Sequence, residues 1–280
     1  MIGSEKMKKY NILILSNKDN DEFLEDTYIA DSFRADGHSV DMLWVDFDEN
    51  LDEKYDVIIR RNTWVEEESQ TENYHKKNKI MKERLSQKKI KTVNLIGLDG
   101  KGKEYLCEFY RQGKKVIPTV NNLEDVKKIN VSEYVLKDNN SFGSGIGQKI
   151  VKREELFNEF ADGYLIQPKI KFKSEVQCYF VADKLMYVFE YTPSKYPNYP
   201  EPCLIELNDE QKKLACDFAK ESNLKVGFQR IDFLRLENDD FLLLEVEDNS
   251  PHMNLEKLDK KFRNEVLEIY KENIYEYLEK

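Results

Sequence analysis

Residues 226–247 constrain the chain more than any other stretch. Two apolar runs, 228–236 and 241–247, are separated by the polar residues 237–240, the pattern of an antiparallel hairpin. A turn at 237–240 sets Leu236 opposite Phe241. Counting back along the ladder then sets Asp232 opposite Glu245 and Arg230 opposite Glu247. Side chains alternate along a strand, so all four share one face. Two carboxylates facing each other in an otherwise apolar hairpin repel and lose hydration unless a cation lies between them. Magnesium answers that need: it takes one or two hard carboxylate oxygens, keeps several waters and bridges to nucleotide phosphates. The competing reading is an exposed hairpin whose charges face water. A slip of one residue in register would move one strand's carboxylates to the opposite face.

The first third alternates strand-like runs (11–16, 40–45, 57–60) with a helical pattern ending near Gly37, which implies a small parallel α/β unit. The first strand is followed by Ser16-Asn17-Lys18-Asp19-Asn20 rather than G-x-G-x-x-G, which argues against NAD or FAD. Residues 66–91 read as a charged surface helix, 92–96 as a strand and 103–111 as a helix stopped by Gly113. The middle reads as strands at 134–137 and 149–151 around a glycine-rich loop, then 165–168, 176–182 and 184–191 completing an antiparallel sheet. The proline-rich segment 192–202 is a loop, either a plain connection or a substrate lid. Asn208 with Gln211 forms a capping box. The last helix carries a stripe of Leu255, Leu258, Phe262, Val266, Ile269, Ile274 and Tyr277, which covers either its own subunit or a homodimer partner.

A net charge of −10 with both signs interspersed speaks against nucleic acid as a partner. No stretch approaches an apolar membrane span, and the first ten residues hold no apolar signal core. The four cysteines form no C-x-x-C pair, so neither a zinc site nor a disulfide framework is expected. A cytoplasmic protein away from the membrane is the expectation.

Several basic and small residues are candidates for anion binding. Lys137 ends a strand and precedes a loop holding Ser141, Gly143, Ser144 and Gly145; backbone N–H groups in such a loop can approach phosphates, and the alternative is a glycine hairpin with no ligand. Lys103 and the pair Gln167-Pro168 have ordinary surface and strand-end readings. Arg60 and Arg61 end a strand, where binding groups of open α/β sheets gather, and anion binding there stands beside a structural ion pair. Cys178 and His252 could form a nucleophilic pair, but free cysteines are more often small buried hydrophobes.

Taken in order, these pieces resemble the ATP-grasp ligases, in particular the glutathione-synthetase-like branch, over residues 56–255. Arg60-Arg61-Asn62-Thr63-Trp64 is similar to that branch's R-x-T-W segment. Lys103-Glu104-Tyr105-Leu106 with Ile117-Pro118-Thr119 is similar to its K-x-Y-L and v-P-T pair. Lys137 and its loop match the second lysine and the flexible glycine loop. Leu165-Ile166-Gln167-Pro168 followed by Glu175 resembles the adenine hinge and the acidic residue after it. Arg230-Ile231-Asp232 and Glu245-Val246-Glu247 resemble the R-x-D and E-x-E metal strands. The chain departs from many members by carrying Glu247 in place of Asn and Gln167 in place of an acidic residue.

The resemblance implies an α/β (α+β) ATP-grasp fold: a parallel α/β domain over 1–118, a small subdomain with the glycine loop over 119–190, and a subdomain with the metal-binding hairpin over 191–280, the last two clamping the nucleotide. It implies ATP with Mg2+, or Mn2+ in its place, and small-molecule carboxylate and amine substrates. Lys103, Lys137, Ser141, Gly143, Ser144, Gly145, Gln167, Pro168, Lys169 and Glu175 would bind the nucleotide. Asp232, Glu245 and Glu247 would hold metal, Arg230 would act in catalysis, and Arg60, Arg61 and Trp64 would recognise substrate.

Overall fold

The computed structural model describes residues 8–16, 24–43, 54–61, 83, 87, 90–94, 97–139, 148–193, 201–249 and 251–280. Trp64, Ser141, Gly143, Ser144, Gly145, nearly all of the expected helix at 66–91 and most of the 192–202 loop lie outside them. In chain order the strands are β1 (Asn11–Leu15), β2 (Ser39–Leu43), β3 (Val57–Arg60), β4 (Lys91–Val93), β5 (Glu133–Asp138), β6 (Gln148–Lys152), β7 (Tyr164–Pro168), β8 (Ser174–Val181), β9 (Lys184–Tyr191), β10 (Cys203–Leu204), β11 (Phe228–Arg235) and β12 (Phe241–Glu247). The helices are α1 (Leu24–Ala35), α2 (Tyr105–Arg111), α3 (Leu156–Glu159), α4 (Asp209–Glu221) and α5 (Lys260–Glu279). No helix among the described residues is long and apolar enough to cross a membrane.

The chain forms two compact units, Met1–Ile96 with Leu224–Phe228 and Asn249–Lys280, and Gly97–Asn223 with Gln229–Asp248. They interleave in sequence, unlike the consecutive division at 118 and 190, because the chain returns after β12 and packs α5 against α1 of the first unit.

The first unit holds a parallel sheet in the order β2-β1-β3-β4. β1 and β3 read as nearly unbroken apolar runs and are almost wholly buried, as strands covered on both faces require. Gly37, at φ 82°, lets the chain turn out of α1 into β2, a conformation that glycine reaches without a Cβ penalty. Asp259 caps α5 by accepting from the N–H groups of Lys261 and Phe262. The buried stripe of α5 is Val266, Leu267, Tyr270, Lys271 and Ile274. It is rotated slightly from the expected one, because the Tyr270 ring stacks on Phe228 at 3.9 Å and Lys271 pairs with Asp36 at 2.8 Å.

The second unit contains a five-stranded sheet, β10-β9-β8-β11-β12, and a three-stranded antiparallel sheet, β6-β5-β7. The sequence grouped 165–168 with the 176–191 pair in one sheet; the structure places β7 beside β5 and the β8–β9 hairpin beside β11. Pro168 ends β7, having no N–H to continue a ladder. One face of the five-stranded sheet packs Val176, Cys178, Phe180, Ile231, Phe233 and Leu243 against Leu106 and Phe109 of α2 and Ala215 and Phe218 of α4. The capping box forms as expected: Asn208 accepts from the Gln211 N–H, and the Gln211 side chain accepts from the Asn208 N–H.

The β11–β12 hairpin pairs Arg230 with Glu247 and Asp232 with Glu245, the expected register at this end. At the turn end the expectation fails, since Phe241 faces Arg235 rather than Leu236. Leu236 N–H donates to the Asp240 carbonyl at 2.8 Å, so the loop is the shorter 237–239, with Asp239 at φ 64°. A bulge between Asp232 and Phe233 makes up the difference, leaving Leu244 as the extra residue. Two offsets of one residue cancel before the ladder reaches the carboxylates.

Candidate functional site

Strand alternation puts apolar side chains of β11 and β12 into the core and sends Arg230, Asp232, Glu245 and Glu247 to the other face. Carboxylate oxygens of Asp232, Glu245 and Glu247 lie within 4.8 Å of one another. The Arg230 guanidinium grips Asp232 with two bonds, Nε to Oδ1 and Nη2 to Oδ2, both 2.8 Å. Nη2 also donates to Glu247 Oε1 at 2.8 Å. Lys103, only 5% exposed, donates its ammonium to Glu245 Oε2.

The pKa values of the two lysines of the site move in opposite directions. Burial works against the Lys103 ammonium, but Glu245 and then Asp99 more than offset it and raise its pKa. Lys137 is pushed down by burial, with Glu245 opposing and Lys103 adding to the shift. Glu245 drops to about 2: burial opposes ionisation, and Lys103 and Lys137 overcome it. Burial moves Asp232 and Glu247 upward despite Arg230. Glu175, on β8, rises to about 7 through burial and then the charge of Asp232. It belongs to a short chain in which the Tyr179 hydroxyl donates to Gln177 Oε1 at 2.6 Å and Gln177 Nε2 donates to Glu175 at 3.3 Å.

The three-stranded sheet contributes Lys137 and Gln167 from one face, in the pairings Lys137–Leu165 and Val135–Gln167. Its opposite face closes a separate core of Tyr134, Leu136 and Ile166. The Gln167 amide donates to Thr119 Oγ1 at 2.9 Å, and Thr119 donates to the Ile117 carbonyl at 2.7 Å. The side chain expected at the hinge thus ties β7 to the 117–119 segment. Pro168 is buried, and Lys169 makes a half-exposed pair with Glu133 at 3.0 Å.

Arg60 and Arg61 belong to the first unit. Arg61 pairs with Glu25 and with Asp26, the latter at 2.9 Å, all three about 1% exposed. Burial lowers the guanidinium pKa, and Asp26 and Glu25 reverse the sign and raise it. Of the two sequence readings at this position, Arg61 takes the structural ion pair. Arg60 donates to Asn249 Oδ1. Glu25 also lies near His252 and Glu256, with His252 Nε2 3.6 Å from Glu25 and 3.8 Å from Glu256. Cys178 is fully buried in the apolar core, and that burial raises its thiol pKa far above the usual range, the opposite of an activated nucleophile.

Sequence reasoning missed Asp248, which accepts from the N–H groups of Leu98 at 2.6 Å and Asp99 at 3.1 Å. No local signal marks a buried acceptor whose donors lie about 150 residues earlier.

Solved structures similar to this chain include D-cycloserine synthetase DcsG, at 16% identity, covering 92% of this chain and 99% of that chain with a TM-score of 0.69. The ATP-grasp ligase PsnB complexed with a minimal precursor is similar at 14% identity, 95% and 100% coverage and a TM-score of 0.68. So is the macrocyclase MdnC bound with precursor peptide MdnA from Microcystis aeruginosa MRC, at 13% identity, 92% and 98% coverage and a TM-score of 0.66. The chain has the ATP-grasp fold. No protein-family model and no curated protein sequence matches it.

Proposed function

We propose that this protein is an ATP-dependent ligase that joins a carboxylate to an amine. The observation that carries the reading is the carboxylate group of Asp232, Glu245 and Glu247, within 4.8 Å of one another and bonded by Arg230 and Lys103, with Lys137 and Glu175 in electrostatic reach of it. The donor set fits Mg2+: three hard carboxylates offer oxygens within 4.8 Å of one another, and no nitrogen or sulfur ligand belongs to the group. Mn2+ shares the preference for oxygen. The metal, when bound by Asp232, Glu245 and Glu247, supplies charge neutralisation for the phosphates.

The protein's own groups account for the remaining requirements. Lys103 and Lys137 offer point charges to phosphate oxygens. A substrate carboxylate oxygen attacks the γ-phosphorus and the bond to the bridging oxygen breaks, giving an acylphosphate and ADP. An amine then attacks the acyl carbon, phosphate leaves and the nitrogen loses a proton. Arg230, oriented by Asp232 and Glu247, supplies fixed positive charge for the transferring phosphoryl group or the oxyanion of the second step. The loop with Ser141, Gly143, Ser144 and Gly145 is assigned to covering the phosphates, and Arg60 and Trp64 to substrate recognition.

A peptide acceptor is the second reading, supported by the structures of PsnB and MdnC with precursor peptides. Incubation with Mg-ATP and panels of small acids, amines and peptides separates the readings by which panel releases ADP. A magnesium-dependent thermal shift with no ADP from any panel would indicate a nucleotide-binding module. No shift with Mg-ATP would overturn the ligase reading.

A further inference from the structure

Lys103 meets Glu245 across 142 residues of chain, and it does so from a short segment rather than from a long helix or a central strand. Two contacts outside the charged face hold that segment to β12. On one side, the Asp248 carboxylate accepts the N–H of Leu98 at 2.6 Å through Oδ2 and that of Asp99 at 3.1 Å through Oδ1. Asp248 is wholly buried, and Gly97 lies so close that an added Cβ would sit 1.9 Å from Asp248 Oδ1. On the other side, the buried Tyr105 hydroxyl accepts the N–H of Val246 at 2.8 Å. Val246 separates Glu245 from Glu247, so this bond acts on the backbone between two carboxylates of the site.

We infer that Asp248 and Tyr105 are positioning residues that fix Lys103 against the carboxylate face. All three bonds are made to backbone N–H groups, so they set the path of the segment. One side chain accepting from two successive backbone N–H groups fixes both positions at once, and a small displacement of a phosphate-binding group costs disproportionately in binding or rate. Gly97 is required because the carboxylate occupies the space where its side chain would stand.

The inference rests on the nucleotide reading above and is tested by calorimetric titration of the full chain with Mg2+ and the non-hydrolysable imido analogue of ATP. Asp248→Asn and Tyr105→Phe are each measured in the wild-type and Lys103→Met backgrounds. Asp248→Asn turns an amide N–H2 toward a backbone N–H and is expected to weaken binding about tenfold in the wild-type background, and less than about twofold once Lys103 is gone. Tyr105→Phe is expected to follow the same pattern at about threefold, and it serves alone if Asp248→Asn fails to fold. Unfolding temperatures recorded alongside identify a general loss of structure, which would lower affinity equally in both backgrounds. Equal losses in both backgrounds, or no loss in the wild-type one, would overturn the positioning role and leave the nucleotide reading standing. Absence of binding by the wild type would overturn both.

Discussion

Arg61 and Arg230 each bridge two carboxylates inside the protein, yet the surroundings differ. Arg61 meets Glu25 and Asp26, neighbours in the first turn of α1, and both carboxylates have further protein donors: the Met253 N–H for Glu25 and the Ser16 hydroxyl for Asp26. Arg230 meets Asp232 and Glu247, but Glu245 and Glu175 also press on Asp232. A buried ion pair whose acceptors are satisfied by the surrounding chain is a structural device. A buried arginine among surplus carboxylates is unfavourable as architecture alone, which supports the ligand-binding reading proposed for that face.

The largest effect that tests this contrast belongs to the first unit. Arg61→Met leaves Glu25 and Asp26 buried without their cation and should cost about 3–5 kcal/mol in chemical denaturation, while the Mg-ATP thermal shift of the surviving folded fraction persists. A loss below about 1 kcal/mol, the scale of an exposed pair, would remove the structural reading of Arg61. Asp232→Asn should do the reverse. Saturating Mg-ATP, at about 100 times the dissociation constant, stabilises a binding-competent protein by roughly 2.7 kcal/mol. In Asp232→Asn that increment should vanish although the protein folds; an undiminished shift would mean that the carboxylate face does not hold the nucleotide's metal.

Smaller effects sharpen the contrast within the first unit. The Tyr270 hydroxyl is buried with no hydrogen-bond partner among the described residues, so Tyr270→Phe removes an unmet polar group while keeping the ring on Phe228. Its stability by denaturation should be unchanged or higher by up to about 1 kcal/mol; a clear loss would point to a hidden partner. His38 is the mildest case. Its Nδ1 accepts the Tyr10 N–H at 3.1 Å, and Nε2 lies 2.9 Å from the Tyr275 hydroxyl, which donates to Asp36 at 2.7 Å. This arrangement holds a neutral ring with the proton on Nε2, and burial keeps its pKa below the ordinary 6.5, with Asp36 opposing. The unfolded chain therefore takes up a proton that the folded one refuses. The contribution of His38 to stability should be full above pH 6.5 and fall as the pH drops below it. Thermal unfolding of the wild type and His38→Asn from about pH 5 to 8 should show a shallower acid-side slope in the variant.

Much of this was legible locally. β3 spans the stretch expected of it, because four apolar or strand-ending residues leave little choice. The Asn208–Gln211 capping box lies within one helical turn, so its chemistry is written in adjacent residues. The hairpin register at Asp232 and Glu245 was legible for a less direct reason. The expected turn was one residue too long and the bulge at Leu244 was not foreseen, and the two deviations offset each other. Bulges depend on twist and on packing against the neighbouring sheet, which residue patterns do not encode.

By itself the sequence determined the period-two face of four charged residues, the parallel start of the chain and the order of its elements, because these depend on backbone geometry and neighbours a few residues apart. Only the tertiary structure decided that Lys103 pairs with Glu245, that Asp248 and Gly97 lock the intervening segment, that Arg61 serves an ion pair, and that α5 belongs with the first unit. Those outcomes turn on burial and on electrostatic partners brought together from distant parts of the chain, where the gain of one contact is set by what every other group in the same space excludes.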